Sequence, residues 1–191
     1  MTPDYSPARA LLAAAHRHPN RLSLVNAATG EQWSVREAAD TVARLSAAFE
    51  KAGIGEGTRI AVIGANSPWH YIAHVAASWL RAVTVPLSPR MPSNALASMC
   101  EQAGVSWAFL DEASLAHAST LSGSGARVAS FADLEAWADR AAPIGRSPAR
   151  CGTELAAILF TSGSTGTPRP VELTHEVMWW GSTNFREGFD Y

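Results

Sequence analysis

The residues best equipped for chemistry are ten in a row, Thr161-Ser162-Gly163-Ser164-Thr165-Gly166-Thr167-Pro168-Arg169-Pro170, and the chemistry they suit is holding phosphate. Gly163 and Gly166 carry no Cβ, so the backbone can bend sharply and approach a ligand closely. Thr161, Ser162, Ser164, Thr165 and Thr167 offer hydroxyls, and successive N–H groups in such a turn form an anion-binding concavity. Arg169 adds a permanent charge on a forked donor set that matches phosphate oxygens. A flexible Ser/Thr/Gly linker has a similar composition. The flanks argue against that reading. The continuous apolar run Leu155 to Phe160 precedes the loop and suits a strand buried on both faces. Val171 to His175 follows it and reads as a strand running into a helix cap. Ligands of open α/β sheets bind at the carboxyl ends of strands.

Other phosphate and hydrolase signatures are missing. No G-x-x-x-x-G-K followed by Ser or Thr occurs, and no G-x-S-x-G. Gly53-Ile54-Gly55-Glu56-Gly57 lacks the dinucleotide spacing and precedes a strand. His70 and His74 lie four apart and so share a helix face, but no carboxylate or cysteine cluster accompanies them, and helix packing is the expectation. His175 is followed by Glu176 but has Trp179 where a zinc helix needs its second histidine, so a structural role is expected. Trp179 and Trp180 read as core. Glu101, Asp111, Glu135 and Asp139 read as capping and solvated residues, and neither His117 nor the remaining charges form an acid–base pair visible in the sequence.

The elements that must position the loop alternate. Ser6-Pro7 opens a first helix, and Leu22–Asn26 with Glu31–Trp33 reads as a hairpin. Ser34-Val35-Arg36-Glu37 is a capping box for a helix that stops at Gly53. Strands then fall at 59–63, 83–86, 106–110 and 126–129, with helices at 67–80, 92–103, 112–121 and 131–140. The class this implies is α/β, a mostly parallel sheet with helices on both faces. Residues 141–153, with two prolines and two glycines, form a connector.

A chain of 191 residues, 47% hydrophobic, suffices for one core, and a net charge of -2 gives no field for nucleic acid. Cys100 and Cys151 are too few for a disulfide framework or a zinc cluster and fit a reduced, cytoplasmic setting. The apolar runs are broken too early for a membrane span, and the N-terminus shows no signal peptide.

The loop, followed by Leu173-Thr174-His175, resembles the signature of the adenylate-forming superfamily: acyl-CoA synthetases, luciferases and the adenylation domains of peptide synthetases. Trp33-Ser34-Val35-Arg36-Glu37 is similar to that family's "T-Y-x-E-L", and Gly53 to Val62 to its "G-V-x-x-G-D-R-V-A". Asn66-Ser67-Pro68 and Val83 to Arg90 also have counterparts. The resemblance runs from about residue 20 to the end.

It implies a two-step reaction in which a carboxylate attacks the α-phosphate of ATP, brought with Mg2+, and a thiol then takes the acyl group from the adenylate. Coenzyme A is the implied thiol, and the closing Trp179 to Phe185 resembles fatty-acid-activating members. Thr161, Ser162, Gly163, Ser164, Thr165, Gly166 and Thr167 would hold ATP phosphates. Arg169 would stand where the family has lysine and neutralise departing pyrophosphate. Two departures stand out. Arg169-Pro170 replaces Lys-Gly, and Pro170 removes an N–H and pushes Arg169 toward an extended backbone. Arg81 replaces a common glycine, so a local change of packing is expected. Members of the family are more than twice as long. Residues 1–191 therefore read as the first part of an N-terminal adenylation domain, without its C-terminal domain and inactive alone. The alternative is a non-catalytic module that binds nucleotide phosphate or a partner chain. An incomplete domain would also expose apolar surface and self-associate.

Overall fold

The computed structural model describes residues 4–161 and 168–188. Two sheets form. Strands β1 (Leu22–Val25) and β2 (Gln32–Ser34) make a small antiparallel ribbon. The main sheet has six strands: β3 (Arg59–Ile63), β4 (Val83–Leu87), β5 (Trp107–Leu110), β6 (Arg127–Ser130), β7 (Leu155–Thr161) and β8 (Arg169–Thr174), in the order β6-β5-β3-β4-β7-β8. Neighbours are parallel except β7 and β8, which run antiparallel.

The period-two alternation of a strand assigns its side chains to two cores. Ile60, Val62 and Phe109 face one core, shared with helices α1 (Pro7–Arg17), α2 (Val35–Lys51), α3 (Pro68–Trp79) and α6 (Phe131–Arg140). Ala61, Ile63, Val85, Ala108, Leu110 and Ile158 face the other, with α4 (Ser93–Ala103) and Leu121 of α5 (Ala118–Gly123). With both faces covered, β3 reads as an unbroken apolar run rather than an alternating one.

Side-chain caps fix where the helices begin. Ser34 and Glu37 close the expected capping box on α2, and Ser130 with Asp133 forms a second on α6. Each contributes about 1 kcal/mol by satisfying N–H groups that have no intrahelical acceptor. Helix α4 ends at Gly104, whose φ of 64° lies in the left-handed region.

Three expectations need correction. The helix expected over 112–121 is split into a 3-10 turn, Glu112–His117, and the short α5. Asp111 caps the turn by accepting from Ser114 N at 2.9 Å and also takes Ala65 N at 2.8 Å, which fixes the tighter winding. Strand β7 is not buried throughout. Ala156, Ala157 and Ile158 are, but Leu159 is 39% exposed, because only the exposed edge strand β8 lies beyond this part of β7. Trp179 and Trp180, on α7 (His175–Gly188), are 39% and 50% exposed and so are not core. Tyr5 packs against both rings, with centroids 6.1 and 6.5 Å away, and leaves the rest of each open.

The connector 141–153 has no regular element but is tied down along its length. Ile144 N donates to Ala43 O, Ala149 N to Trp79 O, and Trp79 Nε1 to Arg146 O. Arg81 has a φ of 55°, the one positive value among the described non-glycine residues. Its guanidinium bridges Glu56, before β3, and Glu154, before β7.

Candidate phosphate-binding site

The loop singled out from the sequence joins two strands that pair with each other. Strands β7 and β8 pair from Leu155↔Thr174 out to Thr161↔Arg169. Thr161 and Arg169, both exposed, are thus directly opposite at the mouth of the turn. Opposed residues of an antiparallel pair have Cα atoms roughly 4.5–5.5 Å apart, so the backbone of Arg169 stands beside that of the first loop residue. Ser162, Gly163, Ser164, Thr165, Gly166 and Thr167 lie outside the described residues. The extended conformation expected for Arg169 is observed, since it opens β8. Pro170 sits opposite Phe160 on an edge strand, where a missing N–H is tolerated.

Strand β7 runs parallel to β4, so Thr161 lies at the edge of the sheet formed by the carboxyl ends of β3, β4, β5 and β7. The hairpin is anchored at its other end. Thr174 Oγ1 accepts from Val177 N at 3.2 Å and caps α7. His175 N donates to Glu154 O at 3.1 Å, and Glu176 N to Gly152 O at 3.0 Å. The Glu154 carboxylate accepts from Gly152 N and faces Arg81 at 3.3 Å. The hydrogen bonds from backbone N–H groups, helped by Arg81, hold its pKa below the ordinary value.

His175 is buried, with Nε2 sealed away from any acceptor or donor. Burial lowers its pKa, partly offset by Glu154, so the ring is neutral. It lies close enough to His74 to depress that residue too. Burial above all, then His175 and His70, push the His74 pKa down to about 4. His74 Nδ1 lies 2.7 Å from Thr84 Oγ1 on β4. The structure therefore joins His74 and His175, which the sequence places 101 residues apart, in a seam between α3, β4 and α7. Among the described residues, no group of three or more His, Cys, Asp or Glu is gathered where it could hold a metal ion. No helix among them is long and apolar enough to cross a membrane. Cys100 and Cys151 are both buried, and burial pushes each thiol up to about 11.

A mostly parallel α/β sheet carries, after the carboxyl end of β7, a Gly- and hydroxyl-rich segment followed by an arginine, and ligands of open α/β sheets bind at such ends. Within that fold class the sequence is specific. The profile of the AMP-binding enzyme family matches residues 11–190, and the chain belongs to that family. It is 30% identical over 176 residues to the hybrid PKS-NRPS synthetase thnA of Trichoderma harzianum, covering 92% of this chain and 4% of that protein. It is 29% identical over 164 residues to 4-coumarate–CoA ligase 5 of Oryza sativa subsp. japonica, covering 82% of this chain and 30% of that one. Among solved structures it resembles VinN, with a TM-score of 0.84 at 24% identity over 96% of this chain and 47% of that one. It also resembles the N-terminal domain of FACL13 from Mycobacterium tuberculosis, with a TM-score of 0.83 at 21% identity over 92% of this chain and 45% of that one. The structural likenesses show the fold of the N-terminal part of adenylate-forming enzymes. The chain spans less than half the length of each of these relatives.

Proposed function

We propose that this chain supplies the ATP-phosphate grip of an adenylate-forming acid–thiol ligase. The observation that carries the reading is the Thr161–Arg169 pair closing a Ser/Thr/Gly turn at the carboxyl edge of the sheet, in a chain matched along nearly its whole length by the AMP-binding enzyme family. Thr161, Ser162, Gly163, Ser164, Thr165, Gly166 and Thr167 hold the β- and γ-phosphates. The carboxylate oxygen of the acid attacks the α-phosphorus as its bond to pyrophosphate breaks. Arg169 offsets the charge that develops on the leaving pyrophosphate. A thiol then displaces AMP from the acyl-adenylate. Mg2+ accompanies ATP as its counterion. The described residues gather no three-ligand set for it, and no step is assigned to it.

For the acid we propose a fatty acid, and for the thiol coenzyme A, in a cytoplasmic setting. Support comes from the apolar Trp179 and Trp180 on α7 and from the likeness to FACL13 and to a Mycobacterium tuberculosis fatty acyl CoA synthetase. Purified as residues 1–191, the protein is expected to bind ATP or pyrophosphate weakly and to show no carboxylate-dependent ATP–pyrophosphate exchange. Calorimetry with pyrophosphate tests the site. Arg169→Ala should weaken binding at least 10-fold, as loss of one charge-assisted contact implies. Unchanged affinity removes Arg169 from the site.

A second reading, that of a phosphate-binding module without catalysis, is favoured by Pro170, which stiffens the arm of the loop. Exchange activity in the isolated chain would exclude it. The exposed Val171, Val177, Trp179 and Trp180 also support self-association, which sedimentation at rising concentration would reveal.

A further inference from the structure

At the same edge of the sheet, 24 residues apart in sequence, Ser93 and His117 meet. Ser93 is the first residue of α4, directly after Pro92. His117 ends the 3-10 turn that follows β5. Ser93 Oγ lies 2.7 Å from His117 Nδ1, while Nε2 lies 3.4 Å from Pro89 O. A carbonyl oxygen can only accept. When the ring carries a single proton, that hydrogen therefore sits on Nε2 and Nδ1 presents its lone pair. The Ser93 hydroxyl then donates to Nδ1. This is the arrangement of an activated nucleophile: a hydroxyl on a base whose other nitrogen is oriented by a fixed acceptor.

The surroundings fit that role. Both side chains are only half-buried, so a small molecule can reach them. Pro92 gives α4 no side-chain cap, and Ala95 N is taken by Asn94 Oδ1. The N–H groups of Ser93 and Asn94 have no acceptor among the described residues. They lie in the turn that carries the hydroxyl, next to where a tetrahedral oxyanion would form.

We propose that Ser93 is a nucleophile, His117 its general base, and a small activated acyl ester or thioester the substrate. Ser93 Oγ forms a bond to the carbonyl carbon, and its proton passes to His117 Nδ1. The carbon–oxygen or carbon–sulfur bond of the substrate breaks, and the departing alkoxide or thiolate takes that proton. Water repeats the sequence on the acyl-serine and releases the acid. The net change is hydrolysis, with nothing oxidised or reduced. ATP and Arg169 play no part, so this proposal stands or falls separately from adenylation.

The test uses the full 191-residue chain with p-nitrophenyl acetate and, separately, a fluorophosphonate probe read by peptide mass spectrometry. We expect the probe on Ser93, and hydrolysis above buffer that falls at least 100-fold in Ser93→Ala and in His117→Gln. Circular dichroism confirms that each variant folds. Ser93→Cys provides a second measurement, because Cys100 and Cys151 are buried and contribute little background. Its new thiol should react with iodoacetamide at least 10-fold faster than the same thiol with His117→Gln added. No label on Ser93, wild-type hydrolysis by Ser93→Ala, or equal iodoacetamide rates overturns the proposal.

Discussion

Replacing Arg81 separates two effects that oppose each other at one residue. Its φ of 55° places a Cβ against the neighbouring carbonyl oxygen, a cost of about 1–2 kcal/mol for a residue other than glycine. Its guanidinium meets Glu56 and Glu154. Both carboxylates are well exposed, at 64% and 41%, so solvent screens the pairs and together they contribute no more than about 1 kcal/mol. Arg81→Ala removes the charge and keeps the strain. Arg81→Gly removes both, but adds back about 0.5–1 kcal/mol of unfolded-chain entropy. Arg81→Gly should therefore lie close to the wild type, and Arg81→Ala below it by up to about 1 kcal/mol. For a chain of this size that is about 2–4 °C in Tm. Urea unfolding followed by tryptophan fluorescence measures both. Glycine usually destabilises relative to alanine, so the reversed order is diagnostic. If Arg81→Ala proves the more stable of the two, the left-handed backbone at residue 81 is not a source of strain.

Acid should weaken the fold through His74. Its folded pKa, about 4, lies below the ordinary 6.5, so between those values the unfolded chain binds the extra proton. The contribution is complete above pH 6.5, declines as pH falls toward 4, and reaches at most about 3 kcal/mol. His70 and His175, both shifted downward by burial, act in the same direction. His74→Leu should flatten urea midpoints across that window, and an unchanged slope would show that His74 is not the group responsible. Ser34→Ala should cost about 1 kcal/mol, because it opens the capping box of α2; a Tm within 1 °C of the wild type would contradict that role.

Local rules made the frame legible. Ser34-Val35-Arg36-Glu37 announced the start of α2, Gly53 its stop, and the strand–helix alternation the parallel sheet. These are decided within a few residues by capping, left-handed backbone and periodicity, so a sequence displays them. The sense of β8 was not displayed. Antiparallel pairing with β7 follows from the length and closure of the turn, and a strand reads the same in either direction. The exposure of Leu159, Trp179 and Trp180 was hidden for a related reason. Hydrophobicity states what a side chain favours, whereas burial depends on whether another layer lies over it.

The candidate sites divide along the same line. The proposed phosphate segment is contiguous, so residue types and spacing expose it in sequence, and the structure adds that Thr161 and Arg169 face each other across paired strands. Ser93 and His117 are individually unremarkable in sequence, a helix-start serine and a histidine among alanines. Their pairing exists only because β4 and β5 flank β3 and run the same way, which brings the segment after each strand to one edge. His74 and His175 meet by the same logic across β4 and α7. In a parallel sheet every crossover returns the chain to the same edge, so residues far apart in sequence accumulate there. That edge holds the Ser/Thr/Gly segment after β7 and a serine–histidine pair beyond β4 and β5, so the two proposals are tested independently, one at Arg169 and the other at Ser93.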